Sequence, residues 1–347
     1  MDERMTRASR YARAAALLIV AFLPACDNVS WGGADFAFVP PPPQATAAPD
    51  TLSPDAPVNE RMPTGPVLFH VSRDSLSARM VPVAEVSGDS LLPVRAQGDA
   101  GAYGRRFIAE QMRQGAEFAL FTDGVRAGTF VVGSAEVPDS PDPCLQRPVA
   151  TGSLELGAGA AAIREFIAIA KPHAPTVARR IDEQLEVSRT MQVVGPILAE
   201  RMIRARGAQL PGNWQRAMEQ VTPFPAANQQ SAAFATTFLV GDTLGPGLDN
   251  EGYSLFFVAI PALASFDTVY VDYRDYTQTG KQAPRVIDYL DWNRDDQVDL
   301  LMEVFGVNDR WYEAVGRGSD GEWRRVLRDR CERAAAPVAE EAPDTVG

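Results

Sequence analysis

The residues best suited to chemistry form a short acidic segment near the C-terminus. Oxygen-bearing side chains occupy every second position, at Asp291, Asn293, Asp295, Gln297 and Asp299. Oxygens from one tight loop can converge on a hard cation, and Ca²⁺ takes roughly six to eight of them at about 2.3–2.6 Å. Gln297 would offer its backbone carbonyl, and Asp299 would close the site where the next strand begins. The spacing therefore predicts a calcium site, and calcium is the one cofactor that the sequence suggests.

The same segment resembles the calcium loop of FG-GAP/VCBS-type repeats, whose pattern is Asp-x-Asn-Gly-Asp-Gly-x-x-Asp-Leu. The resemblance covers ten residues in a single copy. Arg294 and Asp296 stand where the repeats have glycines, so we expect difficulty in reaching positive φ angles there. The segment is not an EF-hand, because Met302 stands at the position of the closing glutamate. The alternative interpretation is an acidic hairpin turn that holds no ion.

A second feature, at the N-terminus, concerns location. Four arginines precede an apolar run over residues 14–22, and Leu23-Pro24-Ala25-Cys26 follows. The segment resembles a bacterial lipoprotein signal, or lipobox, from which Pro24 departs because Ala, Ser or Thr is usual there. The resemblance implies cleavage before Cys26 and lipid attachment to its thiol, and several acyl chains anchor a protein stably. An ordinary signal peptide and a retained helix are alternatives, although the uncharged run is shorter than the about 20 residues that a spanning helix needs.

Charge limits the possible partners. Residues 1–25 carry four arginines and two acidic residues, so the formal net charge of −12 becomes about −14 from Cys26 onward. Nucleic acid and anionic lipid surfaces attract basic proteins, so the sequence argues against both. The expected partners are the membrane, through the anchor at Cys26, and an envelope protein or glycan ligand.

The remaining cysteines, Cys144 and Cys331, are predicted to form a disulfide. Cys26 is assigned to lipid, and disulfides persist outside the cytoplasm. Both cysteines lie in turn-like sequence, where a bridge can form without disturbing a core. The alternative is two unrelated thiols.

The chain divides by composition into six segments. They are a signal peptide (1–25), a Pro-rich disordered tether (26–65), a small α+β unit (66–156), a helical region (157–231), an antiparallel β domain (232–331) and a disordered tail (332–347). The predicted fold class is α+β, with a small N-terminal α/β unit, long central helices and a C-terminal antiparallel sheet.

The central helices are predicted from apolar spacing. An apolar stretch covers 161–170, a long amphipathic helix starts at Thr176, and Gly195-Pro196 should kink or break that helix. A further short helix is expected from Asn213 to Val221. Seven strands at 10–15-residue spacing follow between 234 and 327.

Evidence for catalysis is sparse. The two histidines, His70 and His173, are expected to be solvated loop residues, and no Gly-x-Ser-x-Gly motif occurs. We therefore predict a non-catalytic binding or envelope scaffold module on the extracytoplasmic side of a bacterial membrane. The alternative is a tethered, carbohydrate-active hydrolase that uses acidic residues near aromatic ones, such as Asp267, Asp272, Asp275 and Asp288.

Overall fold

A computed structural model describes residues 61–74, 77–95, 100–140, 142–177, 185–226, 232–247, 251–263 and 265–331. These residues are mostly β, with fifteen strands and four α-helices. The predicted lipid site at Cys26, most of the tether and the C-terminal tail lie outside the described residues. In the described part of the chain, no helix is long and apolar enough to cross a membrane.

The N-terminal half forms one sheet that closes on itself. Its strands are β1 (Val67–Arg73), β2 (Ala78–Ser87), β3 (Ser90–Pro93), β4 (Glu117–Thr122), β5 (Val125–Glu136), β6 (Val149–Leu156) and β7 (Glu165–Ala170). Their order is β1-β7-β4-β5-β6-β2-β3, and β2 also pairs with β1. Every pairing is antiparallel. The result is a six-stranded antiparallel barrel with β3 added beside β2.

Large aromatic residues fill the barrel. Phe69, Phe118, Phe130 and Phe166 belong to one fully buried cluster, which Phe107 joins from helix α1 (Ala100–Gln111). Burial of such side chains contributes about 1.5–3 kcal/mol each, so this cluster is a major source of stability. The interior is therefore a packed core.

Two four-stranded antiparallel sheets follow. The second sheet contains β8 (Met218–Pro225), β9 (Ala232–Val240), β10 (Tyr253–Pro261) and β11 (Phe266–Asp275), in the order β11-β10-β9-β8. The third sheet contains β12 (Ala283–Leu290), β13 (Asp299–Phe305), β14 (Arg310–Arg317) and β15 (Trp323–Asp329), in chain order.

The third sheet is covered on both faces. Leu301 and Ala314 pack in one cluster with Phe121 and Ile167 from the outside of the barrel. The opposite face contributes buried residues to a cluster shared with the second sheet, including Met302 beside Phe256. The third sheet therefore lies between the barrel and the second sheet, and we call it the central sheet.

Helices cover the outer face of the second sheet. Helix α2 (Arg189–Ala205) packs Leu198 and Ile203 against Phe238, with the one-turn helix α3 (Trp214–Ala217) beside it. A last short helix, α4 (Tyr276–Thr279), follows β11.

The predicted α+β class with long central helices is wrong. The stretch 161–170 contains strand β7, which closes the barrel. Phe166 points into the barrel core, whereas Ile167 packs against the third sheet. A strand buried on both faces has a continuous apolar sequence, and its periodicity cannot be distinguished from that of a buried helix.

The predicted helix boundaries also differ. Thr176 is not helical, and residues 178–184 of the predicted helix lie outside the described residues. Helix α2 begins after Ser188, whose hydroxyl accepts a hydrogen bond from Met191 N at 3.2 Å. Helix α2 continues through Gly195-Pro196 without a break. Packing of its buried face against the second sheet outweighs the backbone hydrogen bond that proline removes. The helix predicted from Asn213 to Val221 is a single turn that leads directly into β8.

The predicted disulfide is present. Cys144 and Cys331 are joined, with their Cα atoms 5.7 Å apart. The bridge spans 187 residues and links the loop before β6 to the segment after β15. It therefore connects the barrel to the central sheet.

The last residues of the predicted tether contact the barrel. Met62 is buried in the barrel cluster, and the backbone amides of Thr64 and Gly65 donate to Glu85 Oε1 at 2.7 and 2.6 Å. The first described residue, Arg61, also pairs with Glu85. Contacts with the barrel are therefore present from Arg61 onward.

Candidate functional site

The acidic segment is the loop between β12 and β13. Asp291 directly follows Leu290, the last residue of β12, and Asp299 is the first residue of β13. The two central-sheet strands thereby bring both ends of the loop together.

The loop contains the positive φ angles that we expected to be difficult for residues other than glycine. Arg294 and Asp296 adopt φ angles of 65° and 62°, although neither is glycine. Aspartate tolerates the left-handed region better than most residues. Arg294 is held by its side chain, which donates to the carbonyl oxygens of His173 at 2.9 Å and Ala174 at 3.3 Å.

The first carboxylates of the loop organise its backbone. Asp291 accepts hydrogen bonds from the amides of Asp295 and Asp296, each at 3.1 Å. Asp295 accepts one from the amide of Gln297 at 2.8 Å and one from Asn293 Nδ2 at 3.1 Å. Such Asx contacts are typical of an acidic turn.

Asp299 differs from the other loop residues because it is buried. It is 4 % exposed, and its Oδ2 has no hydrogen-bond partner among the described residues. A Cβ on Gly316 would collide with the Oδ1 of Asp299, so only glycine fits at that position of the neighbouring strand.

The charges of the loop act on one another. Burial raises the pKa of Asp299 well above its usual range, and Asp295 and Asp291 add to that effect. Burial also raises the pKa of Asp291, with a smaller contribution from Asp295. A cation near these three carboxylates would relieve their repulsion and give Asp299 a partner.

The side chains are not arranged around one centre. Among the described residues, no three Asp, Glu, His or Cys side chains converge closely enough to hold a metal ion. The oxygens of Asp291 and Asp295 are turned toward backbone amides, and the Gln297 side chain accepts from Arg317 at 3.4 Å. A bound cation would therefore require some of these side chains to rotate.

The expectation that both histidines are solvated is wrong for His70. His70 lies in β1 and is 6 % exposed. Its Nδ1 is 3.0 Å from the Tyr312 hydroxyl, and its Nε2 is 3.5 Å from Glu165 Oε1. Burial alone would raise the pKa of Glu165, but hydrogen bonds from Arg285 and the nearby His70 ring hold it well below its usual range. This network joins the barrel to the central sheet.

Two of the four aspartates considered for hydrolysis, Asp272 and Asp288, are engaged in other contacts. Asp272 is paired with Arg274 and Arg325, and these guanidiniums outweigh burial and hold its pKa low. Asp288 is buried, and its Oδ1 accepts from the amides of Asp123 and Tyr289, each at 2.7 Å. Burial raises the pKa of Asp288 well above its usual range. These two residues belong to separate networks and do not form a facing pair.

Comparisons with protein-family models, with curated proteins and with solved structures give no match to this chain.

We predict that Asp299→Asn stabilises the calcium-free protein at neutral pH. An unfolded Asp titrates near pH 3.9, whereas the folded-state pKa of Asp299 is raised, so its contribution to stability falls as pH rises between these two values. Replacing the buried acid by an amide removes this pH-dependent destabilisation, so the free energy of unfolding at pH 7 should rise by about 1–3 kcal/mol. Chemical denaturation in chelator at pH 4 and pH 7 measures the effect.

Asp267→Asn is the matched control, because Asp267 is an exposed aspartate in the second sheet. It should change the free energy of unfolding little at either pH. An Asp299→Asn protein that is less stable than the wild type at pH 7 would contradict the assignment of an unpaired, buried acid.

Proposed function

We propose that the chain is an envelope lipoprotein, anchored by Cys26 on the extracytoplasmic side of a bacterial membrane. The observation that carries this proposal is the disulfide between Cys144 and Cys331. Such bridges persist in oxidising compartments, and the chain has three cysteines, so Cys26 is the one left over. Cys26 stands at the end of the lipobox-like segment, where a free thiol is needed for acylation.

The folded body acts as a non-catalytic binding or scaffold module in this proposal. Support comes from two acidic residues, Asp272 and Glu313, because each of them pairs with both Arg274 and Arg325. A glycosidase needs two carboxylates that face each other across a substrate cleft, one of them able to donate a proton. The ion pairs of Asp272 and Glu313 favour a stabilising role over that chemistry.

Calcium is proposed as a stabilising ion of the loop between β12 and β13. The support is the pair of positive φ angles at Arg294 and Asp296, together with the unpartnered oxygen of Asp299. Asp291, Asn293, Asp295 and Asp299 would supply side-chain oxygens, and Gln297 its carbonyl. Binding would replace the present contacts of Asp291 and Asp295 with backbone amides.

We predict that Cys26→Ala moves the protein from the membrane fraction to the soluble fraction, because no thiol remains for the lipid. Fractionation of bacteria that express the full chain, with mass measurement of the N-terminus, checks this. Pro24→Ala is the control, since it brings the segment closer to the usual lipobox and should leave the protein acylated. Membrane association of Cys26→Ala without any partner would contradict the proposal.

We predict that excess calcium raises the unfolding midpoint. Preferential binding to the folded state gives about 2.7 kcal/mol at a concentration one hundred times the dissociation constant. Magnesium should have a smaller effect, because it requires a tighter octahedron. Calorimetry in calcium, magnesium and chelator makes the comparison.

Asp295→Ala should remove the calcium effect, since it deletes a proposed ligand. Asp296→Asn is the matched control, because it removes a charge from the same loop at a position whose side chain is not a ligand. An equal midpoint of the wild type in calcium and in chelator would show that the loop is only a turn.

A further inference from the structure

A cavity of about 390 Å³ lies at the boundary between the barrel and the central sheet. Residues of β2 and of the loop before β6 line one side, and residues of β13 and β14 line the other. Cys144 and Cys331 both belong to the wall, so the disulfide holds together the two segments that form it. The volume is within the usual range of small-molecule sites, about 300–1,000 Å³.

The wall is rich in arginine, although the chain as a whole is acidic. Two carboxylates line the cavity, Glu303 and Asp309. Five arginines line it: Arg79, Arg95, Arg147, Arg310 and Arg330. In a chain with a formal net charge of −12, this concentration of positive charge is local. A cleft in which one sign of charge predominates attracts ligands of the opposite sign.

The arginines differ in how far they are neutralised. Arg95 and Arg147 share the buried carboxylate of Asp329, so one negative charge balances two positive ones. Arg310 reaches Glu303 at 3.1 Å but keeps a side chain that is 63 % exposed. Arg330 lies 3.5 Å from Asp309, so Arg79, which is exposed, is the one lining arginine without an ion-pair partner among the described residues. The five guanidiniums still outnumber the three carboxylates that they contact, those of Glu303, Asp309 and Asp329.

We propose that this cavity binds the phosphate group of a small phosphate ester. Guanidinium forks recognise phosphate and carboxylate oxygens with paired hydrogen bonds. Arginines reach the cavity from several strands and loops, and an anion with oxygens in several directions satisfies them better than one planar carboxylate. The proposal rests on the role of the body as a binding module and names its ligand class.

Apolar groups at the same cavity can accommodate the rest of the ester. Leu145 is 59 % exposed at its wall, and Phe305 lies nearby on β13. Trp311 is stacked under Arg330, with the guanidinium carbon 4.4 Å from the ring centroid. The phosphate could therefore belong to a soluble metabolite or to a lipid head group with its acyl chains beside Leu145.

Isothermal titration of the purified full chain, in non-ionic detergent and chelator, tests the proposal. The probes are inorganic phosphate, glycerol phosphate and a short-chain phosphatidic acid. We expect millimolar or tighter binding of the phosphate group, weakened about tenfold by Arg79→Gln and by Arg310→Gln. Tighter binding of the short-chain lipid than of glycerol phosphate identifies a lipid head group, and equal binding identifies a soluble ester.

Arg204→Gln is the matched control. Arg204 is also 63 % exposed and also paired with a glutamate, Glu200, but it lies on α2 beyond the second sheet. The Arg204→Gln variant should bind phosphate with the affinity of the wild type, although it lowers the net charge by the same amount as Arg79→Gln and Arg310→Gln. Thermal unfolding confirms that each variant is folded.

The absence of binding by all three probes at millimolar concentration would overturn the proposal. Equal affinity of the wild type and the Arg79 and Arg310 variants would overturn it as well, because phosphate would then bind elsewhere. The titration does not depend on acylation of Cys26, so its failure is distinguishable from failure of the anchor.

Discussion

The structure depends on a buried carboxylate, Asp329, at the end of the last strand. Asp329 is 1 % exposed and pairs with Arg95 and Arg147, which lie in the barrel half of the chain. Arg147 also donates to the carbonyl of Pro82 in β2 at 3.2 Å. An unpaired buried charge costs several kcal/mol. The carboxylate of Asp329 therefore favours the arrangement in which the barrel and the central sheet stay packed together. The disulfide lies two residues beyond Asp329 and holds the same junction.

The same rule applies across the central sheet. Glu303 pairs with Arg285, which also holds Glu165 of the barrel, and Glu313 pairs with Arg274 of the second sheet. Glu303 and Glu313 thus each connect the central sheet to one of its neighbours. Asp299 departs from this rule, because its neighbours are other acids. The lack of a positively charged partner makes the loop at Asp299 the candidate cation site. The cavity beside the disulfide has the opposite imbalance, because five arginines and two carboxylates line it.

The sequence predicted the strands better than their assembly. Alternation and turn residues located the C-terminal strands, and Asp123-Gly124, a pair typical of tight hairpin turns, joins β4 to β5 with φ angles of 49° and 67°. Strand β7 was missed because burial on both faces gives it a continuous apolar sequence. The disulfide followed from cysteine counting. The arginine cavity gave no local signal, since Arg79 and Arg310 are brought together only by the packing of β2 near β14.

The most direct test of this account is the stability of Asp329→Asn. Loss of the shared carboxylate leaves Arg95 and Arg147 without their buried partner, which should lower the free energy of unfolding by about 3–5 kcal/mol. Asp320→Asn is the comparison, because Asp320 also pairs with an arginine, Arg324, but in an exposed turn of the same hairpin, where loss of the pair should have little effect. Denaturant unfolding of both variants measures the difference. Equal stability of Asp329→Asn and Asp320→Asn would show that the barrel and the central sheet do not depend on this buried charge.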